Sequence, residues 1–166
     1  MNAGDRMKKL SDLLTLHVEL DEMFLAHQRR LLHFDFNGAF SILDEYESFL
    51  LSHMNDEEKI LLPIYKSRGS QTPCGNAQLF LKEHSRMREW VTFFKQQITK
   101  LAADATPEGD LIRLLDRQSF FKRLCSHHDR READFLYFEL DRITSDSEKA
   151  DLLRQVTCSR LMLNIA

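Results

Sequence analysis

Six side chains in this chain are of types that bind metal ions and occur in an ordered series: His17, His53, Glu57, His84, His128 and Glu132. Imidazole nitrogen and carboxylate oxygen together suit iron, manganese or zinc. No cysteine belongs to the set, which argues against a structural zinc finger or an iron–sulfur cluster. Two pairs repeat, His53-x-x-x-Glu57 and His128-x-x-x-Glu132, and a four-residue step puts both side chains on one face of a helix. A glutamate placed in this way can bridge two ions while its histidine binds one of them. Two such glutamates on facing helices would hold a metal pair from two sides. The four histidines would then be terminal ligands, His17 and His53 on one ion and His84 and His128 on the other.

The elements that must position these residues are legible from periodicity. Helix A is expected from about Met7 to Leu32, with an apolar stripe of Leu10, Leu13, Leu14, Leu20, Phe24 and Leu31 that includes His17. The turn is His33 to Gly38, with Asp35 or Asn37 as the N-cap of the next helix. Helix B carries Ala39, Ile42, Leu43, Tyr46, Leu50, His53, Glu57, Ile60, Leu61 and Ile64, and Pro63 is expected to kink or end it. A loop covers Ser67 to Gly75. Helix C has the cleanest stripe, Ala77, Phe80, His84, Met87, Val91, Phe94, Ile98 and Leu101, in which His84 is the one polar member. After the turn Asp104 to Gly109, helix D runs from Leu111 through His128 and Glu132 to Phe138. A last helix starts near Thr144, where Ser145-x-x-Glu148 reads as a capping box, and carries Ala150, Leu153, Val156, Leu161 and Leu163.

Short connections force neighbouring helices to run antiparallel. The expected fold is all-α, an up-down-up-down antiparallel four-helix bundle over residues 1–141, with residues 142–166 as an additional C-terminal helix on the bundle or on a partner. In such a bundle, residues equidistant from a turn sit at one height. His17 and His53 are each 18 residues from Asp35, and His84 and His128 are each 22 residues from Thr106. The midpoint of Glu57 and His84 falls at Ser70 and Gln71, inside the loop Ser67 to Gly75. Chance alone would supply roughly half a His-x-x-x-Glu pair here, so the repeat carries little weight by itself. The weight lies in the shared height and in polar residues set into apolar stripes, since an unpaired buried carboxylate costs of the order of several kcal/mol.

This order of residues resembles the hemerythrin-like, or HHE cation-binding, family over roughly residues 8 to 140. The family pattern is a lone histidine on the first helix, a His-x-x-x-Glu, a lone histidine and a second His-x-x-x-Glu. Here these are His17, His53 and Glu57 in HMNDEEKILLP, His84 in LKEHSRM, and His128 and Glu132 in HDRREADFLYFEL. The resemblance implies two iron ions joined by an oxo or hydroxo bridge, although zinc and manganese also suit the donor set. It implies a protein that binds, senses or responds to dioxygen or nitric oxide, or handles iron under stress. Two alternatives arise from the same resemblance: a di-iron oxidase, peroxidase or nitric-oxide reductase, and a repair protein for iron–sulfur centres. The repair family also carries a small cysteine-bearing N-terminal domain that does not occur in this sequence. The oxygen carrier of the family has a second histidine one turn from that of helix C, where this chain has Phe80 and Arg88. With four histidines and two glutamates, coordination positions stay open, which suits sensing or reactivity more than oxygen carriage.

Other candidates carry less. Asp21 and Glu58 lie near the set without sharing its stripe, His127 lies about 100° around the helix from His128, and His27 and His33 read as core and turn residues. Tyr46 reads as core, and Trp90 sits off the helix C stripe, toward the last helix or a partner. Cys74, Cys125 and Cys158 form no C-x-x-C, so a reducing cytoplasm is the expected compartment. The net charge of −3, with both signs interspersed, points to no nucleic-acid partner. No apolar run approaches the roughly 20 residues of a membrane span, and MNAGDRMKKL has no signal-peptide core. The apolar tail from Leu161 to Ala166 points to a homodimer contact.

Overall fold

The computed structural model describes residues 8–157. Met7, Cys158, Leu161, Leu163 and the tail expected to make a dimer contact lie outside those residues. The described chain is all helical. A 3₁₀ turn, Leu10–Leu14, leads into α1, Thr15–Leu32. α2 is Phe36–Asp56, followed without a break by a π-helical turn, Glu57–Leu61, and by α3, Leu62–Arg68. α4 is Ala77–Ala102 and α5 is Glu108–Arg131. A second π-helical turn, Glu132–Tyr137, continues α5 into α6, Phe138–Ile143, and α7 is Asp146–Gln155.

Local chemistry sets the helix ends. α1 stops where Phe34 takes a left-handed conformation, φ 57°, with Phe34 N–H donating to the Leu31 carbonyl and Asp35 N–H to that of Arg30. Asp35, the first of the two expected caps, accepts from Gly38 N–H at 2.9 Å and starts α2. Asn76 does the same for α4, accepting from Leu79 N–H at 2.9 Å. Ser145 and Glu148 form the expected capping box on α7. Val156 does not belong to that helix: α7 ends at Gln155, and Val156 is extended and buried. Thr157 anchors this exit, its N–H and hydroxyl donating to the Asp56 carboxylate.

Pro63 does not end its helix. The chain stays helical to Arg68, because the π turn absorbs the irregularity before the proline. Leu62 N–H donates to the carbonyl of Glu57, five residues back.

The four long helices pack around one core, α1 on α2, α2 on α4, α4 on α5 and α5 back on α1. His27 meets Ala39 close to the first turn while His17 meets His53 far from it, so α1 and α2 separate from that turn together. The apolar members of the α4 stripe are all buried. One half of the core is an aromatic cluster: the rings of Phe24, Tyr46, Phe94 and Phe121 have centroids 5.1 to 6.3 Å apart. The other half holds the polar residues. α7 packs on the 3₁₀ turn and the first π turn, covering that polar half from outside.

Candidate metal centre

All six residues meet in the polar half of the core, each no more than 8% exposed. His17 comes from α1 and His53 from the last turn of α2, with Glu57 opening the first π turn. His84 comes from α4 and His128 from the last turn of α5, with Glu132 opening the second π turn. The donor atoms form two groups, His17, His53, Glu57 and Glu132, and Glu57, His84, His128 and Glu132, each spanning no more than 4.8 Å. Both glutamates belong to both groups.

The carboxylate oxygens divide between the histidine pairs. Glu57 Oε1 lies 3.3 Å from His53 Nε2, and its Oε2 lies 3.3 Å from His84 Nε2. Glu132 Oε2 lies 3.3 Å from His17 Nε2, and its Oε1 lies 2.8 Å from His128 Nε2 and 3.6 Å from His84 Nε2. Within each pair the Nε2 atoms face each other, at 2.9 Å for His17 and His53 and 3.1 Å for His84 and His128. Two ligands at right angles, each about 2.1 Å from one ion, are about 3 Å apart, so these separations match donors around a common centre.

Hydrogen bonding gives a second test of fit. Glu57 Oε2 and both oxygens of Glu132 are buried without a hydrogen-bond partner; the 2.8 Å approach of His128 Nε2 to Glu132 Oε1 is not aligned as one. Buried carboxylate oxygens are otherwise satisfied in folded proteins, because each orphan costs free energy. A cation between the groups would satisfy every one of them. The residues therefore fit a metal ion in each group, with Glu57 and Glu132 shared; the donor types alone do not choose the metal.

Electrostatics without metal derive from the same geometry. Burial by itself would lower the pKa of His17, but the Glu132 carboxylate outweighs it, with Asp129 helping, and raises it to about 9. His84, against Glu132 and Glu57, and His128, against Glu132, are likewise raised to about 9 in spite of burial. His53 goes the other way: burial dominates and lowers it, and the charge on His17 acts in the same direction against the pull of Glu57. Glu132 is held well below the usual carboxylate range, with three histidines overcoming its burial. Three of the four histidines thus favour the protonated form when no metal is bound.

A further layer of side chains holds these histidines and Glu57 in place. His84 Nδ1 and Glu58 Oε1 are 2.9 Å apart, and Arg88 donates to the same oxygen at 2.7 Å. Burial opposes ionisation of Glu58, but Arg88 and His84 keep its pKa below the usual value. His128 Nδ1 and Glu83 Oε2 are 2.9 Å apart, and Glu83 also pairs with Arg131. His17 Nδ1 lies 3.5 Å from Asp129. Tyr137 donates to Glu57 Oε1 at 2.6 Å. A carboxylate on Nδ1–H fixes the imidazole tautomer that leaves Nε2 free as a donor to metal. Glu83→Gln is therefore expected to weaken metal binding about 10- to 100-fold while leaving the helical content unchanged, as measured by competition with a chromophoric chelator. Equal affinity in the variant would remove Glu83 from this role.

Several of these residues are invisible to a stripe reading. Glu83 precedes His84 and would ordinarily face solvent. Tyr137 and Asp129 carry no spacing signal of their own, although each is one or more turns from Glu132 or next to His128. The π turns are the larger omission; such turns concentrate at functional sites. Pro63 hints at the first, and nothing in the sequence marks the second.

The remaining candidates fall elsewhere. His27 is buried but satisfied, between the Ala39 carbonyl at 2.8 Å and the Gln118 side chain at 2.9 Å. His33 and His127 are exposed. Asp21, Tyr46 and Cys125 line a small cavity beside His17 and His53, together with Leu50, Met54 and Asp129. Its volume open to water centres is about 20 Å³, enough for one water-sized molecule. Burial pushes the Cys125 thiol and Tyr46 phenol far up, so both are neutral there. No helix among the described residues is long and apolar enough to cross a membrane. No family model, curated protein or solved structure matches this chain, and the centre is characterised by its own geometry.

Proposed function

We propose that this chain is a hemerythrin-like, up-down-up-down four-helix bundle over residues 1–141, with residues 142–166 as an additional C-terminal segment on the bundle or on a partner, that holds two metal ions and binds a small diatomic ligand. His17 and His53 would hold one ion, His84 and His128 the other, and Glu57 and Glu132 would bridge them. The observation that carries this reading is the division of each buried carboxylate, one oxygen toward each histidine pair. Iron is the metal that the family resemblance favours, and a donor set of histidine and glutamate accommodates it.

When bound, the metal pair supplies redox-active, Lewis-acidic positions for dioxygen or nitric oxide. The chain's own residues do the rest. Tyr137 fixes one oxygen of Glu57, and Glu58 and Glu83 fix the imidazoles of His84 and His128. The aromatic cluster keeps bulk water from one side. The cavity at His17 and His53 offers the ligand space on one side of the centre, where Leu20, Leu50, Met54 and Met87 make an apolar lining and Asp21 and Asp129 a polar edge. A site of this size admits a diatomic and refuses larger substrates, which favours binding or sensing over turnover.

The test is nitric oxide titration of the anaerobic, iron-loaded protein, monitored by absorption. Reversible binding is expected. Leu50→Phe fills the cavity and is expected to weaken binding at least tenfold with metal content unchanged. Equal binding by the two proteins would overturn the assignment of the ligand site. Sustained turnover of hydrogen peroxide or nitric oxide would replace the binding role with the enzymatic alternative.

A further inference from the structure

Away from the metal centre, α4 and α5 enclose a groove on the outer surface. Three adjoining depressions of about 590, 400 and 210 Å³ make it up, and Arg117 lines all three. Arg86 and Trp90 line the first two, and Arg123 and Phe120 complete the largest. It extends along α5 from His127 to Asp110, 18 residues, or about 25 Å at the helical rise.

Its charges are unbalanced. No carboxylate lines the largest depression; Glu89 lines the second and Asp110 the third, against four arginines in all. Arg86, Arg117 and Arg123 are exposed and take part in none of the ion pairs among the described residues. Two of them rest on rings instead: the Arg117 guanidinium lies 5.1 Å from the centroid of Phe93, and that of Arg123 lies 5.0 Å from Phe120. A ring beneath a guanidinium restrains the side chain and leaves its in-plane donors free, the geometry that takes a carboxylate with two hydrogen bonds. By contrast Arg113, at the far end, is already paired with Asp110 at 2.5 Å.

We propose that this groove docks an acidic, extended segment of a partner protein, with carboxylates on Arg86, Arg117 and Arg123 and apolar side chains on Trp90 and Phe120. About 25 Å accommodates roughly seven extended residues. A single-stranded nucleic acid fits less well. It needs open ring faces for bases, and here the faces of Phe93 and Phe120 are covered by arginine.

The single tryptophan of the chain, Trp90, lies in the groove and reports on it directly. The probes are a fluorescein-labelled peptide of alternating aspartate and leucine, about eight residues long, the same peptide with asparagine for aspartate, and labelled oligothymidine. The aspartate peptide is expected to bind in low salt, to shift Trp90 emission when unlabelled, and to weaken at least tenfold in about 0.3 M salt. The double variant Arg86→Glu, Arg117→Glu is expected to lose at least tenfold in affinity with metal content and helicity unchanged. Arg117→Lys keeps the charge without the fork and is expected to fall between the two. Equal binding of the asparagine peptide, tighter binding of oligothymidine with the same Trp90 response, or no Trp90 response to the aspartate peptide would each overturn the proposal.

Discussion

Glu132→Ala is expected to abolish loading of the metal pair, lowering bound metal from two ions per chain to less than one. Glu132 is fully buried and faces His17, His84 and His128, so its loss removes a donor from both groups. Glu57→Ala is expected to act in the same direction, since its two oxygens also serve both groups. The effect on the metal-free protein separates this role from simple packing. Without metal, Glu132 is what raises three histidines against the pull of burial. Removing one member of a buried ionic cluster leaves the others uncompensated, a loss of about 3 to 5 kcal/mol. Metal analysis after iron loading and thermal melts of the metal-free protein together make the check. Retention of two ions per chain by Glu132→Ala would contradict the shared-carboxylate arrangement.

The second large effect is the exchange of protons for metal. His17, His84 and His128 have pKa values near 9 in the metal-free fold and must lose their protons to bind ions. Loading at pH 7 is therefore expected to release about three protons per chain, one from the His17 and His53 group and two from the other. Apparent affinity should rise with pH, up to about tenfold per pH unit for the first group and a hundredfold for the second, and level off near pH 9. The stability of the metal-free protein runs the opposite way. Its raised histidines sit above their unfolded value of 6.5, so their contribution is full below about pH 6.5 and is lost as pH rises through about 9. The gap in melting temperature between loaded and metal-free protein should widen from pH 6 to pH 9. A gap that is flat over this range, with no proton release on loading, would show that protons and metal do not compete.

The parts of this site that are legible in the sequence share one cause. His17 and His84 interrupt apolar stripes of regular helices, and in a regular helix residue number translates directly into height and face. Each expected pairing, His17 with His53, His84 with His128 and Glu57 with His84, corresponds to a close approach. The illegible parts break that translation. A π turn adds one residue without changing composition, so the sequence carries no mark of where Glu132 to Tyr137 departs from the α-helix. Glu83 and Tyr137 reach His128 and Glu57 across helix boundaries, and pairing between elements has no periodicity of its own. Pro63 reads as a kink or an end because proline removes a backbone donor. The π turn that precedes it lets the helix continue past that loss. Val156 fits the apolar spacing of α7, yet the helix has already ended at Gln155, and burial is achieved by an extended residue instead.

The most direct measurement of the central claim is the metal stoichiometry of the protein reconstituted with ferrous iron in the absence of oxygen and freed of loosely bound ions. Two iron atoms per chain are expected, falling below one in both Glu57→Ala and Glu132→Ala. One ion per chain, or none, in the unaltered protein would contradict a two-metal centre bridged by these carboxylates.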